Sequence, residues 1–234
     1  MDPQMTGWRE FWNGEHSIYV SARHKILHFD RIARDIAGLI AKPGATVLDY
    51  GCGEALAAGD VARCCETLYL YDAAPSVQER LRGVFGGNRR IIVLSSAALE
   101  ILPPASLDLI VVNSLLQYLT IAEFEALLAF WHGRLKPGGR LVLADIVSVE
   151  AGALGDAQAL LAFSLKGGFL FAALGGLVAT LFSPYRKLRA TIGLTRYSQD
   201  DIFTLLRSHD FEPVRAPANI GPNPARMMVF ATLR

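Results

Sequence analysis

The sequence predicts a single doubly wound α/β domain, and three observations carry that expectation. The run Thr46–Tyr50 is short, apolar and β-branched, with an acid at Asp49. Gly51-Cys52-Gly53 and then helix formers follow at once, which reads as strand, tight turn, helix. A second such run, Thr67–Tyr71, closes on another acid, Asp72, about two dozen positions on. Leu107–Val112 is a continuous apolar run of the kind buried in a parallel sheet, and Asn113 closes it. Open sheets of this class bind ligands outside the C-terminal ends of their strands, and polar residues tip the strands here.

Length and composition agree. The chain has 234 residues, 52% of them hydrophobic, which suits one domain with ample core. Its 23 basic and 22 acidic residues give no global field, so no nucleic acid is expected as a partner. Cys52, Cys64 and Cys65 form neither a disulfide framework nor a metal-ligand spacing, and a reducing, cytoplasmic setting is expected. No basic region followed by an apolar one opens the sequence, so no secretory signal is read.

In chain order, Trp8, Phe11 and Trp12 suggest a short aromatic-faced helix acting as a lid or clasp. Residues 19–40 form a longer helical pattern stopped by Lys42-Pro43-Gly44. His24 and His28 share a helix face, but no third ligand is signposted, so no metal is expected. The glycines at 51 and 53 permit a tight bend and close approach of a ligand. A dinucleotide fingerprint needs a third glycine where Leu56 stands, and Asp49 would sit badly against a pyrophosphate. A cationic ligand such as an ammonium or sulfonium suits it better. Residues 54–65 read as the first crossover helix. Asp72 lies where a βαβ unit places a carboxylate beside a ribose, or else it caps the helix over 75–85. Arg90–Leu94 reads as the third strand, and Ile121–Arg134 as a helix leading into the strand Leu141–Ile146. Helix 199–209 and strands 211–216 and 227–233 complete the sheet.

Asp49, Gly51 and Gly53, together with Leu135-Lys136-Pro137-Gly138-Gly139 ahead of the fifth strand, make residues 46–146 resemble the class I S-adenosylmethionine-dependent methyltransferases. The resemblance implies a Rossmann-like, seven-stranded sheet with an antiparallel last strand, and S-adenosyl-L-methionine as cofactor. It implies cofactor contacts from Asp49, Gly51, Cys52 and Gly53, and ribose and adenine contacts from Asp72 and Ala73. Asn113 would line the methionine moiety. Two departures stand out: Ala55 replaces the motif's last glycine and narrows the turn by a methyl, and Ser96 and Ala97 stand where the family places an adenine-binding acid. The N-terminal helices of that family cover the methionine end and the substrate. Tyr19, Arg23 and His24 are therefore candidate contacts, with Tyr19 or His24 able to take a hydroxyl proton, or else they are ordinary packed or solvated helix residues. Asp145 is either a substrate contact or a strand-end acid.

Residues 1–43 read as a helical cap, 44–149 as the cofactor-binding core, 150–197 as an apolar helical insertion and 198–234 as the last helix and strands. Within the insertion no residue from Gly167 to Tyr185 is charged. A membrane span there would strand the last two β-strands across the bilayer. The remaining readings are a lid with an apolar inner surface, a helix on a membrane surface flanked by Arg186, Lys187, Arg189 and Arg196, or a contact with a second copy. The apolar run favours a small, hydrophobic or lipid-like acceptor beside Asp145. The rival classes are a nicotinamide-dependent oxidoreductase and a cofactor-binding partner protein without activity.

Overall fold

The computed structural model describes residues 8, 10–14, 19–150, 152–180 and 193–234. Trp8 and residues 10–13 are helical. Helix α1 (Ala22–Ala37) leads into β1 (Thr46–Tyr50), α2 (Ala58–Ala62), β2 (Thr67–Tyr71), α3 (Pro75–Phe85), β3 (Ile91–Val93) and α4 (Ser96–Glu100). There follow β4 (Leu107–Asn113), α5 (Ile121–Arg134), β5 (Leu135–Ile146), α6 (Ala153–Gly167), α7 (Leu170–Thr180), α8 (Gln199–Ser208), β6 (Phe211–Arg215) and β7 (Met227–Leu233). The seven strands lie in the order β3-β2-β1-β4-β5-β7-β6. The first five are parallel, and β7 runs antiparallel to both β5 and β6. This is the expected sheet.

Alternation within the apolar strands divides the core between the two faces. Leu48, Ile110, Val112, Leu141 and Leu143 point to one face and meet Phe124, Leu128 and Trp131 of α5 and Ile202 and Leu206 of α8. Val47, Leu109, Val111 and Val142 point to the other and meet α1, α2 and α3 through Ile36, Val61, Val77, Leu81 and Phe85. Because β1 and β4 are covered on both faces, their sequence carries no polar alternation. Truncating the fully buried Ile110 to Ala is expected to cost about 2–5 kcal/mol.

Local signals set the boundaries, and three differ from expectation. The first helix begins at Ala22 rather than residue 19, because the Ser21 side chain caps it by accepting from His24 N. Only 58–62 of the expected 54–65 crossover is helical: Gly51, Gly53 and Ala55 all take positive φ, so the chain is still winding round the turn. Strand β5 begins at Leu135, paired with Leu107, and the next pair is Leu109 with Arg140, so Lys136–Gly139 bulges out of the ladder. Asp108 anchors that bulge, bonding Lys136 (2.6 Å), Lys42 (2.8 Å) and Thr46 N (2.9 Å). Burial works against its charge, yet these partners prevail and hold its carboxyl down to about 2. The Leu-Lys-Pro-Gly-Gly motif is thus a tie at the sheet's far end, opposite the ligand side.

The insertion folds as the pair α6 and α7, turned by Gly168 in the left-handed region (φ 72°). It packs on the start of α1: Phe169 stacks on His24 at 5.0 Å, and Arg23 Nε donates to the Gly167 carbonyl. A Cβ on Gly176 would collide with Val20, so the close approach of α7 requires glycine there. Among the described residues no helix is long and apolar enough to cross a membrane. Arg186, Lys187 and Arg189 lie outside the described residues.

Candidate functional site

The C-terminal ends of β1, β2 and β4 converge. Gly51 N and Cys52 N both donate to the Tyr71 carbonyl (2.7 and 3.1 Å), which ties the glycine turn to the tip of β2. Asp72 completes the tie: one carboxylate oxygen accepts from Gly53 N at 3.0 Å and the other from Ala74 N at 2.9 Å. At Gly53 (φ 58°) a Cβ would meet no described residue within 4 Å, so the turn shows bare backbone. At Gly51 (φ 76°) a Cβ would press to 3.2 Å from Leu115, which seats the loop after β4 against the turn.

Above these tips lies a cavity of about 530 Å³, a size ordinary for a small-molecule site. Gly51, Cys52, Gly53, Asp72, Ala73 and Asn113 line one side. The Asn113 side-chain oxygen is buried and has no hydrogen-bond partner among the described residues. The remaining wall is largely apolar and aromatic, from Trp8, Trp12, Tyr19, Phe29, Tyr50, Tyr71, Leu115, Tyr118, Leu119 and Leu127. Trp8 and residues 10–14 form the roof: Trp8 and Trp12 pack on Tyr118 (ring centroids 4.5 and 5.8 Å apart), while Asn13 Oδ1 accepts from Ser76 N at 3.0 Å.

Asp49 faces a separate cavity of about 40 Å³ behind the turn, shared with Gly51, Cys52, Ala55 and Asn113. Burial, reinforced by the charge of Asp72, pushes its carboxyl up to about 7. Burial also raises Asp72, against the two N–H donors and Arg80, and raises the Cys52 thiol beside both acids. Two acids held in little water suit a positively charged guest. Ala55 turns its methyl toward the packed helices and this rear cavity, so the expected narrowing does not reach the large cavity.

The structure redistributes the other candidates. Tyr19 is on the wall, but burial and then the charge of Glu54 push its phenol far above the ordinary range, so it remains protonated and is no base. His24 is not on the wall: it is buried, its Nδ1 accepts from Val20 N at 3.3 Å and its ring stacks on Phe169. One helical turn on, His28 takes the wall position. Among the described residues no group of side chains could hold a metal ion. Ser96 and Ala97 begin α4 outside the wall, and Ser96 Oγ lies 3.4 Å from the hydroxyl of Tyr71, whose ring is on the wall. Asp145 is off the wall too, held by Ser114 and Arg226. No described residue of α6 or α7 lines the cavity, and residues 181–192 of the insertion lie outside the described residues. Tyr50 and Leu127 escaped sequence reading, because each also fits an ordinary packed position in a strand or helix.

Residues 48–143 match the family model of a methyltransferase domain. Among curated proteins, a ribosomal protein L11 methyltransferase of Cupriavidus necator is 36% identical over 121 residues, which is 50% of this chain and 37% of that protein. This chain therefore matches little more than a third of that relative's length. Among solved structures, an S-adenosylmethionine-dependent methyltransferase of Leishmania major aligns with TM-score 0.61 at 16% identity, covering 100% of this chain and 85% of that one. Magnesium protoporphyrin IX methyltransferase of Synechocystis PCC 6803, with bound S-adenosylhomocysteine, aligns with TM-score 0.58 at 16% identity, covering 98% and 94%.

Proposed function

We propose that this chain, which carries a methyltransferase domain in the class I fold, moves a methyl group from S-adenosylmethionine to a small, largely apolar acceptor. The observation that carries this reading is one cavity joining the glycine turn to an apolar, aromatic wall. The cofactor fits the residues present. Asp72 would take the ribose hydroxyls, the bare backbone at Gly53 would allow close approach, and Asn113 would lie toward the amino-acid end. Asp49 behind the turn favours positive charge. When bound, the cofactor supplies an electrophilic methyl on sulfur with a neutral thioether as leaving group.

What this chain adds is position. Trp8, Trp12 and Tyr118 cover part of the cavity, so an acceptor is held against the turn. Burying an apolar acceptor body on Leu115, Leu119 and Leu127 contributes about 25 cal/mol per Å². A quinone, isoprenoid or acyl-chain precursor matches such walls better than a sugar or free amino acid. A roofed cavity also suits a small acceptor more than a macromolecular one. The exposed Phe171 (89%) and Leu174 (47%) support a second contact, with a membrane surface or another copy of the chain, away from the cavity. The three free cysteines suit a reducing cytoplasm.

Calorimetry with S-adenosylmethionine, S-adenosylhomocysteine and NAD tests the cofactor. Binding of the first two and not the third is expected, and NAD binding alone overturns the reading. Retention of S-adenosylhomocysteine in a native preparation, seen by mass spectrometry, would support it independently.

A further inference from the structure

Several wall groups could meet an acceptor, and most are already engaged. Glu54 pairs with Lys25 at 2.5 Å, Asp72 braces two backbone N–H groups, and Glu123 closes the α5 capping box on Thr120 at 2.9 Å. Arg80 carries a permanent charge and cannot accept a proton. His28 differs from all of these. It stands on the wall beside Tyr19 (ring centroids 5.3 Å apart) and Phe29 (5.7 Å); its Nδ1 is buried out of a guest's reach, whereas Nε2 is neither so buried nor hydrogen-bonded among the described residues.

We infer that His28 receives the proton of a ring-borne hydroxyl on the acceptor, which makes this an O-methylating site. The inference rests on the methyl-transfer reading above and names its acceptor class. Burial, and then the neighbouring His24, hold the imidazole down to about 4, so at neutral pH it carries one proton and offers one lone pair. Tyr19 and Phe29 pack the ring from the sides, and Tyr19 remains protonated, so neither competes for that proton.

The step balances. A lone pair of the hydroxyl oxygen forms the new O–CH₃ bond, the electrons of the sulfonium C–S bond pass to sulfur, and the O–H proton goes to the accessible ring nitrogen, Nε2, while the buried Nδ1 keeps its own proton. A weakly basic imidazole suffices because the hydroxyl becomes strongly acidic as its oxygen is alkylated, so the proton moves downhill late in the step. An aliphatic amine would arrive as an ammonium ion and need a carboxylate, whereas the wall carboxylates are already occupied. Aromatic faces from Trp12, Phe29 and Tyr118 favour a flat ring as the hydroxyl's carrier.

The test uses histidine-labelled protein loaded with S-adenosylhomocysteine, with the His28 nitrogen signals assigned by their loss in His28→Gln. Addition of 2-naphthol should shift those signals while naphthalene leaves them in place. In turnover with S-adenosylmethionine and a panel of naphthols and catechols, His28→Gln should lose about 100-fold or more. Its S-adenosylhomocysteine affinity should stay within about twofold, and thermal unfolding should confirm that the variant is folded. His28→Asn gives the same comparison should the glutamine variant prove unstable. A silent imidazole across the panel, or turnover within about threefold of the parent, overturns the inference. Failure of the parent protein to bind S-adenosylhomocysteine at all overturns the methyl-transfer reading instead, and calorimetry separates the two.

Discussion

Ser114 Oγ donates to Asp145 Oδ2 at 2.7 Å, joining the tips of β4 and β5, and both residues hold left-handed backbone, φ 57° and 54°. Arg226 lies between Asp145 (3.7 Å) and Asp156 of α6 (2.9 Å), so the cavity wall at Ser114 is wired to the insertion. Burial raises the Asp145 carboxyl, against the pull of Arg226 and Ser114. Left-handed backbone costs asparagine less than alanine, and the amide oxygen can still accept from Ser114, so Asp145→Asn should be milder than Asp145→Ala by about 1–2 kcal/mol. Denaturant unfolding of the two variants checks this; equal losses would mean that the backbone conformation contributes nothing.

Asp49 sets a pH dependence whose sign follows from its raised carboxyl. The folded, ligand-free protein holds this proton up to about pH 7, whereas the unfolded chain releases it near 4. Stability therefore falls as pH rises between those values. Asp49→Asn should remove that slope and stabilise the ligand-free protein by about 1–3 kcal/mol at pH 8. It should also weaken binding of the cationic cofactor. In the parent, cofactor binding should release a proton near pH 6.5, visible as a buffer-dependent calorimetric enthalpy.

Asp72→Asn should do two things at once, because the carboxylate both braces Gly53 N and Ala74 N and faces the cavity. Cofactor affinity should fall by about 1.5–3 kcal/mol, the scale for hydrogen bonds to a charged acceptor. An unchanged dissociation constant would reduce Asp72 to a loop brace.

Asn13→Ala should loosen the roof by removing the acceptor for Ser76 N, worth about 1 kcal/mol. Stopped-flow fluorescence of Trp8 and Trp12 should then show S-adenosylhomocysteine leaving about fivefold faster, with the melting temperature nearly unchanged.

Replacing Phe171 and Leu174 together by Ser should leave cofactor affinity and turnover unaltered, because neither residue lines the cavity. Loss of liposome co-sedimentation in that variant would assign the exposed face of α7 to a membrane surface. Loss of a dimer in light scattering would assign it to a second copy.

The sequence by itself determined the sheet and which strand tips meet at the cavity. Strands 67–71 and 227–233 and helices 75–85 and 121–134 match their expected bounds because Pro75, the Thr120 capping box and the glycine turns act within a few residues. Gly51, Gly53, Asp72 and Asn113 share the cavity for the same reason: a parallel sheet brings the ends of its strands to one edge. The acceptor side was decided only in three dimensions. His24 and His28 are one turn apart and alike in sequence, and only the packing of Phe169 on His24 leaves His28 as the wall residue. The insertion's hydrophobicity states that it must be covered but not by what. Helices α6 and α7 dock on Val20, Arg23 and His24 and line none of the cavity, while Trp8 and Trp12 supply the roof. Local propensity acts over a few residues, whereas such contacts join positions far apart in the chain, and their outcome depends on how the whole domain packs.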